Sequence, residues 1–246
     1  MAAGRGFLKD SIRLEYDFSL SDQSQGRPQP PVEKPFDPGA DRIRLMPPEQ
    51  FEGLPKVDIL TAISRRKSYR RFKPAPLSLL ELSFLLWATQ GVRPGPPRTS
   101  AFRTVPSAGA RHPLETYIFA LRVDDVPPAV YRYLPLEHDL LKEFTDQAVE
   151  EKLHAACLGQ GFVTQAAAVF AWSTIAYRTE WRYGPSAHRV ILMDAGHVCQ
   201  NLYLACEAIG AGTCAVGAYD QRAMDKLLRL DGEEEFVIYL APVGKV

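Results

Sequence analysis

Residues 194–220 read DAGHVCQNLYLACEAIGAGTCAVGAYD, and they set the frame for the rest of the chain. Extended back to Arg189, the stretch predicts one long helix over 189–209 that stops at the glycines Gly210 and Gly212. Asp194, His197, Gln200, Asn201 and Glu207 interrupt its apolar residues. Such groups are expensive in hydrocarbon, so it reads as the core helix of a globular domain and no membrane partner is expected. The glycine run matches a dinucleotide fingerprint only superficially. Its third glycine, Gly217, comes too late, and the turn follows a helix where a Rossmann turn would open one after a strand.

Around this helix the pattern predicts helices over 57–66, 78–89, 145–158 and 220–228, and strands over 116–121, 129–133, 168–176 and 235–240. The helix at 78–89 has the strongest start signal, a Ser78-x-x-Glu81 capping box behind Pro76, with Gly91 as its C-terminal cap. AVFAWSTIA at 168–176 is apolar on both faces and suits a central strand. Helices and strands mix without βαβ alternation, so the fold class is α+β. Eight of the twenty prolines lie between Pro28 and Pro55. Proline removes a backbone donor and restrains its neighbour, so 1–55 reads as an extended arm and 56–246 as the domain.

Composition narrows the partners. The chain has 246 residues, with 29 Lys+Arg against 29 Asp+Glu and so no net formal charge. That balance speaks against a protein dedicated to a polyanion, and no nucleic-acid partner is expected. The four cysteines are too few and too unevenly spaced for a disulfide scaffold and read as buried thiols. No signal-like apolar stretch opens the chain, which gives a cytoplasmic expectation.

Three segments carry candidate chemistry. Residues 65–73, RRKSYRRFK, hold six cations and no acid. Forked guanidinium groups, an ammonium and a hydroxyl suit a phosphate, although a solvated basic surface or a nucleic-acid patch would have the same composition. In 105–113, VPSAGARHP, small residues allow close approach of a flat ligand, with Ser107 and Arg111 as polar handles; a plain turn is the alternative. The third segment is the 210–219 turn itself. Asp194 and His197 share a helix face without a second His/Glu pair, so no metal site is expected and His197 reads as a hydrogen-bonded core histidine. No Gly-x-Ser-x-Gly elbow is present, and Cys214 reads as a small buried hydrophobe.

Taken in order, RRKSYRRF, PLSLLELSFLLWATQGV, RTVPSAGARHPLETY, VYRY, the 194–220 string and APVGKV resemble the nitroreductase superfamily, in particular its SagB-type, thiazole/oxazole-forming dehydrogenase branch. The resemblance spans roughly 58–246. It implies an α+β homodimer with one FMN per subunit at the dimer interface. By this resemblance Arg66, Lys67, Ser68 and Arg70 take the phosphate and ribityl chain. Pro106, Ser107, Ala108, Gly109 and Arg111 lie along the flavin, Val216, Gly217 and Ala218 face its N5/O4 edge, and Lys245 adds a cation. The implied activity is hydride transfer between flavin N5 and a small organic substrate, with NADH or NADPH as candidate electron donor. Azoline-oxidising relatives use a Lys-Tyr pair ahead of the long helix, where this chain has Trp181-Arg182-Tyr183. Arginine stays protonated and is a poor base, which leaves Tyr183 as a proton donor or a packing aromatic. Azoline oxidation on a ribosomal peptide, and flavin binding without turnover, are the two alternatives.

Overall fold

The computed structural model describes residues 2–93 and 102–246, without side chains at 2 and 3. Two short helices, α1 (Ala2–Phe7) and α2 (Ile12–Glu15), open the chain and are followed by strand β1 (Arg42–Arg44). Next come α3 (Ile59–Arg65), α4 (Leu79–Gln90), the strands β2 (Leu114–Ala120), β3 (Ala129–Leu134) and β4 (Asp139–Phe144), and α5 (Val149–Ala156). The second half runs β5 (Ala168–Ile175), α6 (Tyr177–Tyr183), α7 (Ala187–Ala208), β6 (Ala211–Thr213), α8 (Gln221–Leu227) and β7 (Glu235–Lys245). The seven strands form one antiparallel sheet in the order β1-β4-β3-β2-β5-β7-β6.

Both sheet faces are covered, which explains why the central strands read as continuous apolar runs. Alternate residues of β2 point opposite ways. Ile118 and Ala120 join the core under α4 and α7 with Phe170 and Trp172. Tyr117 and Phe119 join a second core under α5 and α8 with Leu153, Met224 and Leu240. The result is three layers, helix–sheet–helix, an α+β arrangement as the mixed pattern implies. β5 is the central strand expected at 168–176, and it pairs with β2 and β7.

Local chemistry sets several boundaries. Ser78 Oγ accepts from the Glu81 amide while Glu81 accepts from the Ser78 amide, the full capping box. Gly91 does end α4, with φ −60° and so outside the left-handed region. Glycine is required there by close approach, since a Cβ would lie 2.3 Å from Trp87 Cδ1. Asp58 caps α3 through the Thr61 amide, which starts the helix at Ile59. The glycine turn expected after the long helix contains an edge strand, β6, paired with the end of β7.

The proline-rich segment, which includes a short 3-10 helix at Pro48–Gly53, is tied to its own chain's sheet. β1 pairs with β4, and Arg103 and Arg132 donate to the carbonyls of Val32, Lys34 and Pro35. The Lys34 ammonium pairs with Glu235, and its backbone amide donates to Glu115. All four cysteines are buried and free, and burial pushes Cys157 up to about 11 and Cys199 up to about 12. Among the described residues no helix is long and apolar enough to cross a membrane.

Candidate functional site

The helix α7 organises the sequence-predicted residues into two groups. Ile191, Asp194, Ala195, Val198 and Leu202 are all buried along one stripe. Asp194 is therefore an acid on an inward, otherwise apolar face, where it needs donors. The 107–112 turn supplies them: Ser107 Oγ donates to Asp194 Oδ2 at 2.5 Å and the Ala108 amide donates to Oδ1 at 3.1 Å. Burial raises the Asp194 pKa, and these two donors pull it back toward its ordinary value. Ser107 Oγ in turn accepts from the His112 amide at 2.9 Å. One carboxylate thus fixes the whole PSAGARH segment on the helix.

The segment is tightly turned. Gly109, Ala110 and His112 all have positive φ, at 58°, 53° and 47°. Gly109 is also closed in, because a Cβ would stand 2.6 Å from the Tyr183 hydroxyl and 3.1 Å from Arg182 Cδ. The guanidinium of Arg111 lies 5.0 Å from the centre of the Trp181 ring. Trp181, Arg182 and Tyr183, the last residues of α6, therefore enclose the turn from one side. His197 is exposed, which corrects its reading as a core histidine: the helix turns position 197 to solvent two residues past buried Ala195.

The second group lies nine positions further along α7, about 13.5 Å by ideal helix rise and half a revolution around the axis. Tyr203 anchors it. The Ala215 amide donates to Tyr203 Oη at 2.9 Å, and Ser68 Oγ shares a hydrogen bond with the same hydroxyl at 2.9 Å. Ser68 also bridges to Thr213, and the Tyr69 amide donates to the Thr213 carbonyl. The basic segment is thereby held along the sheet edge, with Tyr69 packed on Gly212 and Phe72 on Gly244. Arg66, Lys67 and Arg70 are exposed, and among the described residues none has a carboxylate partner. They lie instead over aromatic rings, Arg66 over Tyr203, Lys67 over Tyr69 and Arg70 over Phe162.

The 216–218 turn borders the same cations. Gln160, two residues from Phe162, donates to the Ala218 carbonyl. Val216 is buried and pairs with Leu240, whereas Gly217 and Ala218 are exposed. Lys245 differs from the open cations in having a carboxylate partner. Its ammonium is held by Glu81 and by the Ile209 carbonyl at 2.7 Å, so in this structure it caps the end of α7, while its own carbonyl accepts from the Lys73 amide of the basic segment.

Sequence reasoning missed Tyr203 and the anchoring role of Asp194. Asp194 had a readable signal, since an acid on the inward stripe of an apolar helix requires a donor set elsewhere in the chain. Tyr203 had none, because its partners Ser68 and Ala215 are distant in sequence.

An exposed cationic strap, a bordering turn with solvent-facing residues and a small-residue platform are thus all held on one long core helix. The chain belongs to the Nitroreductase family, whose profile matches residues 63–245. It is 34% identical over 196 residues to a nitroreductase-family protein of Methanocaldococcus jannaschii, covering 80% of this chain and 95% of that one. Its structure is similar to a nitroreductase-family protein from Anabaena variabilis, at a TM-score of 0.67 and 23% identity, covering 85% of this chain and 42% of that chain. It is also similar to a chain of the Escherichia coli microcin synthetase complex with truncated pro-MccB17 bound, at a TM-score of 0.62 and 21% identity, covering 83% and 84%. Family membership makes the protein an oxidoreductase of nitroreductase type.

Proposed function

We propose that the chain is an FMN-dependent oxidoreductase that moves hydride between flavin N5 and a small organic substrate, reduced in turn by NADH or NADPH. The carrying observation is that Arg66, Lys67 and Arg70, none with a carboxylate partner among the described residues, lie on a strap that Tyr203 and Thr213 hold beside the exposed Gly217–Ala218 turn. A phosphate bearing nearly two charges fits this strap through charge-assisted hydrogen bonds. A Cβ on Gly217 would meet nothing within 4 Å, so the turn leaves room for a flat ring. FMN supplies, when bound, a carrier that takes up and releases hydride at N5.

The residues of the chain then divide the remaining work. Arg66, Lys67 and Arg70 bind the phosphate, Ser68 orients the ribityl chain, and the 216–218 backbone borders the N5/O4 edge. Pro106, Ser107, Ala108, Gly109 and Arg111 form the platform, with Tyr183 beside Gly109 as a proton donor to substrate.

A homodimer accounts for the separation of the two groups along α7. Leu60 and Leu192 are 75% and 49% exposed, and Ile59, Ile63 and Met193 are exposed around them. These apolar residues lie on α3 and α7, which touch each other, and a second copy would cover them and bring its platform to the first copy's strap. The buried free thiols support a cytoplasmic location. Arg182, where azoline-oxidising relatives carry lysine, stays protonated and argues against azoline oxidation as the reaction.

Purified protein should be yellow and release FMN on heating. Arg66→Ala and Arg70→Ala should each weaken FMN binding by about tenfold or more, as for loss of a charge-assisted contact. A chain that takes up no FMN overturns the proposal. Anaerobic bleaching by NADH or NADPH separates an enzyme from a flavin-binding protein without turnover.

A further inference from the structure

The fold shows how it treats a guanidinium that it keeps for itself. Arg178 donates to Glu115, Arg132 to Glu143 and Arg103 to Gln90 Oε1 and the Val32 carbonyl. Each of these three is buried and has at least one oxygen acceptor, although Arg103 Nε is left without one. Arg111 is equally buried, at 3% exposure, yet no carboxylate or carbonyl accepts from it among the described residues, and its Nε is buried without a partner. The Trp181 ring faces it. Arginine cannot shed its charge inside a protein, so an uncompensated guanidinium in this position is costly unless an anion is brought to it.

A second cation borders the same turn. Arg182 Nε lies 3.2 Å from where a Cβ on Gly109 would stand, and Arg182 is near enough to lower the Arg111 pKa further than burial alone. Its own contact is with the Tyr183 ring, 5.5 Å away. The acids of this corner are already engaged: Asp194 by Ser107 and Ala108, Glu180 by His188, and Asp10 by Arg13 and Arg189. Arg111 and Arg182 thus border the same turn, whose Gly109 faces the Tyr183 hydroxyl, and among the described residues neither has a carboxylate partner. A planar group with two oxygens matches a guanidinium fork, and a flat cation resting on an indole keeps that fork oriented.

We propose that Arg111 and Arg182 clamp the carboxylate of an anionic substrate, so that the enzyme acts on carboxylate-bearing acceptors. The clamp names the substrate class of the flavin site and rests on that reading for the chemistry, although the two arginines belong to the chain with or without flavin. The N1/O2 edge of reduced flavin is a second source of the same planar oxyanion chemistry.

Calorimetric titration of FMN-loaded protein with 4-nitrobenzoate and with the neutral 4-nitrobenzamide tests the clamp. The acid should bind at least about tenfold more tightly than the amide, a single charge-assisted contact being enough for that ratio. Arg182→Gln, an exposed position whose replacement leaves the fold intact, should bring the two ligands within about twofold of each other, and Arg182→Lys should restore part of the preference. Equal binding of acid and amide by the unaltered protein, or a preference that survives Arg182→Gln, overturns the proposal. So does an Arg182→Gln variant whose flavin midpoint potential falls while its preference for the acid is unchanged, because the anion is then the flavin edge. If the chain takes up no FMN, the flavin reading fails on its own, and the same titration of the flavin-free chain still reads the clamp.

Discussion

Ser107 and Asp194 join the platform to the core helix: the hydroxyl donates to Asp194 Oδ2 at 2.5 Å while accepting from the His112 amide at 2.9 Å. The Ala108 amide completes the set on the other carboxylate oxygen. The left-handed residues Gly109, Ala110 and His112 gain little from their own conformations, so the turn depends on this outside acceptor. The same bonds set the position from which Gly109 meets Tyr183.

Asp194→Ala should lower stability by about 2–3 kcal/mol, because two donors are left without an acceptor in a covered site. Asp194→Asn keeps an oxygen for those donors and removes a charge that burial already disfavours, so it should lose less than half as much. Urea unfolding of the two variants measures the difference, and equal losses would mean that Asp194 acts only by filling space.

How much was legible beforehand depended on the range of each interaction. The Ser78 capping box, the inward stripe of α7 and the doubly buried β5 were all readable, since each is encoded within a few residues. The cationic strap was visible as composition, and so were the small residues of 106–110. What composition could not supply was commitment. Lys245 and Arg66 are both cations near the sheet edge, but only Lys245 meets a carboxylate, on Glu81. Arg111 and Arg178 are both buried arginines, and only Arg178 has an acid. Those differences are set by residues tens of positions away, as is the exposure of His197, which follows from the side of α7 that the sheet does not cover.

Gly109 and Gly217 separate conformation from contact. Gly109→Ala places a Cβ in a left-handed residue against the Tyr183 hydroxyl and Arg182, and it should destabilise by roughly 1–2 kcal/mol. Gly217 has open space and needs no positive φ. Gly217→Ala should therefore leave the melting temperature within a degree or two, about the size of a 0.5 kcal/mol change, and weaken FMN binding if the turn borders the ring. Thermal melts with and without FMN read both effects.

Tyr203→Phe removes the hydroxyl that accepts from Ala215 and holds Ser68. Ser68 is exposed and can turn to water, so the stability loss should be modest, about 1 kcal/mol. The strap loses its tether, and FMN affinity should fall about fivefold, more than Ser68→Ala produces alone. Flavin fluorescence titration measures both; an affinity that does not change would detach the strap from Tyr203 in function.

Glu33 and His112 should oppose each other in the pH dependence of stability. Burial, with Glu137 and Glu115 adding to it, raises Glu33 from 4.5 to about 7. The folded state therefore holds a proton that the unfolded chain has released, and its contribution is complete below pH 4.5 and lost as pH rises toward 7. His112 is depressed from 6.5 to about 3 by burial and then by Arg103, Arg111 and Arg178. Here the unfolded chain holds the extra proton, so stability falls as pH drops from 6.5 toward 3. Between pH 4.5 and 6.5 the two slopes have opposite sign, each about 1.4 kcal/mol per pH unit for one proton. Glu33→Gln should uncover a stability that rises with pH across that window. His112→Asn, which tolerates the positive φ at that position, should uncover one that falls. Urea unfolding at half-unit steps of pH gives both slopes. A Glu33→Gln variant whose slope matches the unaltered protein would mean that Glu33 is ionised where it lies.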